Sequence, residues 1–136
     1  MVDADLLAQD SLESITALRE ETTSERPSME DFLAKSFGVC ALHENALAGW
    51  CLSEYNTEGR CEIGIETVSP FRKRGLATAL TLALLEHAFA KGYTEVGWHC
   101  FKRNAASGNT ARKAGFDKVR DYPAFIVWYD EANRPA

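Results

Sequence analysis

Apolar residues along the chain follow two rhythms. Leu6, Leu7, Leu12, Ile15 and Leu18 recur every three to four residues, which predicts an amphipathic helix from Ala4 to about Thr22. A polar break from Thr22 to Pro27 follows, and Ser28 caps a short helix, Met29–Lys35, with Asp31 at its third position. The rhythm then changes. Phe37–His43 and Ala46–Tyr55 are apolar on both faces and split by Glu44-Asn45, predicting an antiparallel hairpin whose asparagine takes a positive φ, in a sheet covered on both sides. Cys61–Val68 alternates, with Ile63, Ile65 and Thr67 on one face and Glu62, Gly64 and Glu66 on the other.

Leu76–Lys91 is apolar nearly all round, so it reads as a largely buried helix stopped by Gly92. A strand at Thr94–Phe101 then closes a β-α-β unit with parallel strands. Asn104 caps a weak helix, Ala105–Ala114, ended by Gly115. Phe116–Asp121 and Ala124–Tyr129, interrupted by Pro123, complete the sheet. The expected fold is α/β (α+β): one domain with a mixed central sheet of about six strands and helices on both faces. Residues 1–36 form a helical segment, 37–130 the core and 131–136 a polar tail.

A length of 136 residues suits a single domain. No apolar run reaches about 20 residues and no charged-then-apolar leader begins the chain, so a membrane partner is not expected and the reading is cytoplasmic. Cys40, Cys51, Cys61 and Cys100 all fall in apolar runs without the close pairing of a zinc site, which suggests reduced core thiols and no metal. The net charge of −5 is unevenly spread: residues 1–66 hold 14 acids and 4 bases, residues 67–136 hold 6 acids and 11 bases. That asymmetry suits a polyanionic ligand on one side and a cationic substrate on the other. A pI of 5.2 and the lack of a basic stripe interleaved with aromatics disfavour nucleic acid.

The basic half contains Pro70-Phe71-Arg72-Lys73-Arg74-Gly75-Leu76-Ala77, where an extended run ends, three cations follow and a helix starts. Unpaired N–H groups and the positive end of the helix dipole make such a place an anion trap, and Gly75 admits a phosphate close to the main chain. Arg72-x-x-Gly75-x-Ala77 resembles the Arg/Gln-x-x-Gly-x-Gly/Ala pyrophosphate loop of the GNAT acetyltransferases. With the preceding strand, the following helix, and Asn104-x-x-Ser107 leading to Gly115-Phe116, residues 37 to 130 look like the later part of a GNAT domain. More narrowly, Cys61–Thr67, Gly75-Leu76-Ala77-Thr78 and Trp98-His99-Cys100 are similar to the zwittermicin-resistance type of GNAT protein.

The resemblance implies acetyl-CoA as cofactor. It assigns the diphosphate to Arg72, Lys73, Arg74, Gly75, Leu76, Ala77 and Thr78, and the pantetheine arm to main-chain groups of Thr67 and Val68. Asn104, Ser107 and Lys113 would line the remaining channel, and the segment before residue 37 would cover the acceptor site. Glu66 and His99 are the candidate proton acceptors: His99, five residues before Asn104, stands where GNAT enzymes acting on protein N-termini place a catalytic glutamate. The alternatives are a solvent-facing carboxylate and a structural histidine. Ala111 occupies the position at which many GNAT enzymes place a tyrosine general acid, which leaves Tyr122, Tyr93, water or a substrate group to act. The chain begins at a helix where GNAT folds usually begin with a strand, and an open edge there would favour a homodimer.

The function expected on these grounds is acetyl transfer to a primary amine of a small molecule, by direct attack in a ternary complex. An ammonium near pKa 10.4 is deprotonated in about one molecule in a thousand at neutral pH, a cost of about 4 kcal/mol, so a base is required. Two alternatives remain open: a non-catalytic acyl-CoA-binding sensor, and a transferase acting on peptide or protein N-terminal amines. A nucleotide-binding domain is less well supported, since neither Gly-x-x-x-x-Gly-Lys-Ser/Thr nor Gly-x-Gly-x-x-Gly occurs.

Overall fold

A computed structural model describes residues 1–127. The elements run α1 (Ala4–Leu7), α2 (Ile15–Thr22), α3 (Met29–Lys35), β1 (Gly38–His43), β2 (Ala46–Thr57), β3 (Arg60–Thr67), a 3-10 turn (Ser69–Phe71), α4 (Leu76–Ala90), β4 (Glu95–Gly97) and α5 (Ala105–Lys113). One mixed sheet has the order β1-β2-β3-β4, with β1, β2 and β3 antiparallel and β3 parallel to β4. Two apolar layers cover its faces. Leu6, Leu7, Leu12, Ile15, Leu18 and Phe32 pack with Leu47, Trp50 and Leu52 on one side. Leu80, Leu84 and Ala88 of α4 pack with Val39, Cys51, Cys61 and Ile63 on the other. No helix of the described residues is long and apolar enough to cross a membrane.

The expected helix over Ala4–Thr22 is two helices. Ser14 takes a left-handed φ of 68°, and Glu13 is drawn to the hairpin tip, donating to Asn45 O at 2.9 Å and accepting from Leu47 N–H at 3.0 Å. Arg19 of α2 reaches back to the end of α1, where its guanidinium donates to Leu7 O at 2.6 and 2.9 Å. The five apolar residues of the helical pattern are nevertheless all buried, because spacing reports which side faces the core and not whether the backbone is continuous. The cap on α3 is as expected, with Ser28 Oγ accepting from Asp31 N–H at 3.1 Å. In the hairpin the positive φ, 54°, falls on Glu44, while Asn45 donates through Nδ2 to Ser11 O.

The sheet has four strands among the described residues, not about six. The strand expected over Thr94–Phe101 is reduced to Glu95–Gly97 because Trp98 turns toward α5, donating to Ser107 Oγ at 3.0 Å and stacking edge-on against Phe116. The segment expected at Phe116–Asp121 carries no strand pairing; Asp121 forms exposed ion pairs with Lys102 and Lys118. Of Ala124–Tyr129, residues 124–127 are likewise unpaired, Pro123 lacking an N–H to begin a ladder, and the remainder lies outside the described residues. The α4 helix is also less enclosed than expected: Leu82 and Phe89 are exposed on its outer face.

The edge of β1 is tied to β2 through Ser53, which is fully buried. Its N–H donates to Phe37 O at 2.8 Å and its Oγ accepts from Phe37 N–H at 2.9 Å. Ser53→Ala therefore leaves a buried N–H without an acceptor, and urea denaturation is expected to show a loss of about 1–3 kcal/mol with an unchanged m-value.

Candidate active site

The site begins where two strands part. β3 and β4 pair at Arg60/Glu95, Cys61/Val96 and Glu62/Gly97 and then separate, while β2 stays with β3 as far as Thr67. Val68 N–H donates to Ala48 O at 2.9 Å. The alternation of an antiparallel ladder then directs the main-chain groups of Ile63, Ile65 and Thr67 away from β2; Ile63 still adjoins the end of β4, while Ile65 and Thr67 face the side where β4 has left. Thr67 C=O on that edge accepts from Arg72 Nε at 2.8 Å. Of the two residues expected to meet the pantetheine arm, Val68 has its N–H committed to the sheet. Thr67 N–H and the main chain of Ile65 face the opening instead.

The turn after β3 is where the sequence places the anion site. Lys73 and Gly75 take positive φ of 61° and 77°, and Gly75, in the N-cap position of α4, has no side chain to cap the helix. No N–H from Lys73 to Thr78 has an acceptor among the described residues, so those of Leu76, Ala77 and Thr78 stand open at the helix start. No atom lies within 4 Å of where a Gly75 Cβ would sit. Lys73 and Arg74 are exposed and form no ion pair among the described residues. Arg72 acts as a brace: besides Thr67 O it holds Glu66, with Nη2 at 3.0 Å from Oε1. Open N–H groups, two unpaired cations and clear space fit a diphosphate. Arg74 also borders a cavity of about 320 Å³ lined by Ala41, Leu42, Phe71, Leu76 and Ala79.

The other channel residues separate. Asn104 caps α5, its Oδ1 accepting from Ser107 N–H at 3.1 Å, and Ser107 Oγ is engaged by Trp98. Lys113 lies in the last turn of α5, eight residues and roughly 12 Å from the first turn, so it does not join the group around Asn104.

The sheet face beneath α2 and α3 is acidic. The β2–β3 register sets Trp50 opposite Glu66, Leu52 opposite Gly64 and Glu54 opposite Glu62, all on this face. Two glycines make room for carboxylates. A Cβ on Gly64 would overlap the Glu54 carboxylate, and a Cβ on Gly97 would overlap that of Glu62. Glu54 thus lies against β3, and Glu62 against β4, beside the point of parting. Glu21 of α2 and Glu25 of the following turn complete the cluster, Glu25 accepting from Tyr55 N–H at 3.0 Å. Burial, followed by the charges of Glu21, Glu25 and Glu62, pushes the Glu54 carboxyl up to about 7. Burial and then Glu66 raise Glu21 as well. A second cavity, of about 380 Å³, is bounded by Glu20, Glu21, Trp50, Glu66 and Val68.

His99 and Tyr122 meet, with Tyr122 Oη 2.8 Å from His99 Nδ1, and His99 Nε2 is 3.4 Å from Glu62 Oε2. Glu66 stands apart from this group, held by Arg72. Glu54 and Glu21 were not singled out from sequence, and Glu62, which with Glu66 flanks Gly64, was read as facing solvent. The available signal was the pairing of an acid with a glycine on the next strand, which becomes readable only once the register is known. Cys100 is exposed and not a core thiol, whereas Cys51 and Cys61 are buried; burial raises both, Cys61 to about 11, which keeps them protonated and unreactive.

The site of this α/β domain is thus a split sheet edge beside a turn with open N–H groups and two cations unpaired among the described residues. The family profile for GNAT acetyltransferases matches residues 2–125, and the chain belongs to that family. It is 30% identical over 98 residues to the uncharacterized N-acetyltransferase YdfB of Bacillus subtilis, covering 72% of this chain and 37% of that protein. It thus spans little more than a third of that relative's length. The fold is shared with the aminoglycoside N-acetyltransferase AAC(6')-Iy solved in complex with CoA, at 18% identity and a TM-score of 0.65 over 83% of this chain and 90% of the other. An aminoglycoside acetyltransferase from an uncultured soil metagenomic sample, in complex with sisomicin, gives 19% identity and a TM-score of 0.62 over 84% and 82%. Acetyl-CoA is the cofactor of the family.

Because the Glu54 carboxyl is raised, the native state favours its protonated form and loses stability as pH climbs from its ordinary 4.5 toward 7. Glu54→Gln removes that cost. Urea denaturation is expected to find the variant more stable than wild type at pH 8 by about 1 kcal/mol, a figure discounted for the group's partial exposure, with the gain shrinking toward pH 4.

Proposed function

We propose that this domain transfers the acetyl group of acetyl-CoA to a primary amine of a small cationic molecule, by direct attack in a ternary complex. The observation that carries this reading is the meeting of two oppositely charged surfaces at one opening. The cationic turn at Lys73–Gly75 lies at one end of β3, and the carboxylates of Glu54, Glu62 and Glu66 line the face beside its free edge. Acetyl-CoA supplies an acetyl group activated as a thioester. Lys73, Arg74 and the open N–H groups of Leu76–Thr78 hold the diphosphate, and the free edge at Ile65 and Thr67 orients the extended arm. The acidic face draws in the ammonium and positions it across the sheet from the turn. Arg72, through Glu66 and Thr67 O, keeps the turn and the strand end in fixed relation.

The aminoglycoside acetyltransferases among the structural neighbours and the likeness to zwittermicin-resistance proteins support an antibiotic-like or polyamine acceptor. One observation favours a non-catalytic acyl-CoA sensor instead. Ala111 is buried in α5 and offers no hydroxyl, while the two expected alternatives are already hydrogen-bonded, Tyr122 to His99 and Tyr93 to Asn56.

Acetyl-CoA consumption measured against amino sugars, polyamines and peptides, beside calorimetric CoA binding, separates these readings. Turnover with a small polycation is expected. Gly75→Asp places a negative charge and a strained left-handed residue at the anion site, and is expected to weaken CoA binding about 100-fold, near 2.7 kcal/mol. Tight CoA binding without turnover on any amine would support the sensor, and folded protein that does not bind CoA would overturn both.

A further inference from the structure

The carboxylate laid on Gly64 has no structural partner that explains it. Glu54 forms no ion pair among the described residues, and the groups facing it are acids: Glu21 from α2, Glu25 from the α2–α3 turn and Glu62 across the ladder on β3. A solvent-seeking group would turn outward. This one lies inward against the β3 backbone, in space that exists only because residue 64 has no side chain. Gly64 adjoins Ile65, whose main-chain groups open toward the split. Glu62 repeats the arrangement one strand further on. It lies against Gly97, the last residue of β4 before the strands part. Its Oε1 accepts from Arg60 Nη2 at 3.1 Å, and Arg60 also pairs with Glu95. Its Oε2 is buried, without a hydrogen-bond partner among the described residues, and 3.4 Å from His99 Nε2.

Taking the acetyltransferase reading as its basis, we propose that Glu54 is the catalytic base that accepts the proton of the acceptor ammonium, and that Glu62 is a positioning residue whose like charge keeps Glu54 ready to take it. An ammonium N–H bond breaks and the proton passes to a Glu54 carboxylate oxygen. The freed nitrogen lone pair forms the C–N bond as the thioester C–S bond breaks, and the C–S electrons leave on sulfur. The second nitrogen proton goes to that sulfur, and the proton on Glu54 passes to solvent before the next turnover. Burial among three acids suits the role. A carboxylate with an ordinary affinity for protons is a weak base at neutral pH, whereas like charges and partial burial strengthen it. Glu66 is instead paired with Arg72.

Three variants test the assignment on the whole chain. Glu54→Gln is expected to lower kcat about 10²- to 10⁴-fold with CoA affinity unchanged. Gly64→Ala displaces the carboxylate without removing it; no positive φ strains the position, and the group it meets is the end of a flexible side chain, so the protein should fold and bind CoA while kcat falls. Glu62→Gln removes one like charge, so the acid limb of the kcat/KM profile should move to lower pH, a shift a purely structural residue would not produce. Carbon-13 NMR titration of the glutamate carboxyls, without acetyl-CoA, reads the same group independently of turnover: Glu54 should titrate near 7 in wild type and lower in Glu62→Gln. Turnover that survives Glu54→Gln, or an acid limb unmoved by Glu62→Gln, overturns the assignment alone. Wild-type protein that binds CoA but acetylates no amine overturns the transferase reading and the base with it.

Discussion

The register of β3 against β2 is the constraint on which the rest of this site depends. A side chain alternates across a strand with a period of two, so shifting that pairing by one residue would carry every acid to the opposite face. The bond from Val68 N–H to Ala48 O pins the end of the ladder. Once it is pinned, Trp50 and Leu52 fall beneath the helical layer with Glu54 beyond them on the same face, while the main chain of Ile65 and the N–H of Thr67 are left without a strand partner among the described residues. The same register that builds the core therefore also presents the open edge and aims the carboxylates.

Glycine enters this design in two ways. At Gly75 it supplies a backbone conformation and clear space, so that helix N–H groups remain available to an anion. At Gly64 and Gly97 the backbone is ordinary, and what matters is missing volume. A sheet has no natural cavity on its face, because neighbouring side chains stand side by side at close spacing. Deleting a side chain on the adjacent strand creates a slot one carboxyl wide. Glu54 and Glu62 fill two such slots in succession, and the clustering of like charge that results costs the native state stability at neutral pH. That cost is concentrated beside the strand opening, on carboxylates admitted by glycines of the adjacent strands.

The N-terminal segment takes part in both the core and the site. Leu12, Ile15 and Leu18 anchor it on the sheet, and the polar side of α2 then brings Glu20 and Glu21 to the cavity that Glu66 and Trp50 line. Arg19 and the hairpin tip hold the break between α1 and α2 in place, so the position of Glu21 depends on contacts distant in sequence.

Much of this was legible in the chain itself. The cap at Ser28, the hairpin, the glycine turn at Gly75, the helix behind it and the asparagine cap at Asn104 all rest on interactions a few residues apart, which spacing and residue type encode directly. The meeting of an acidic half with a basic half was visible in composition. Other features required the folded molecule. The helix over Ala4–Thr22 breaks because Glu13 finds partners about 30 residues away. β4 stops at Gly97 because Trp98 finds Ser107 and Phe116. Glu54 becomes a site residue only because Gly64 and Glu62 stand beside it. Sequence determined the local elements and the chemistry available to them; tertiary structure decided which groups meet, because strand register, parting of strands and missing volume are relations between segments that no single stretch contains.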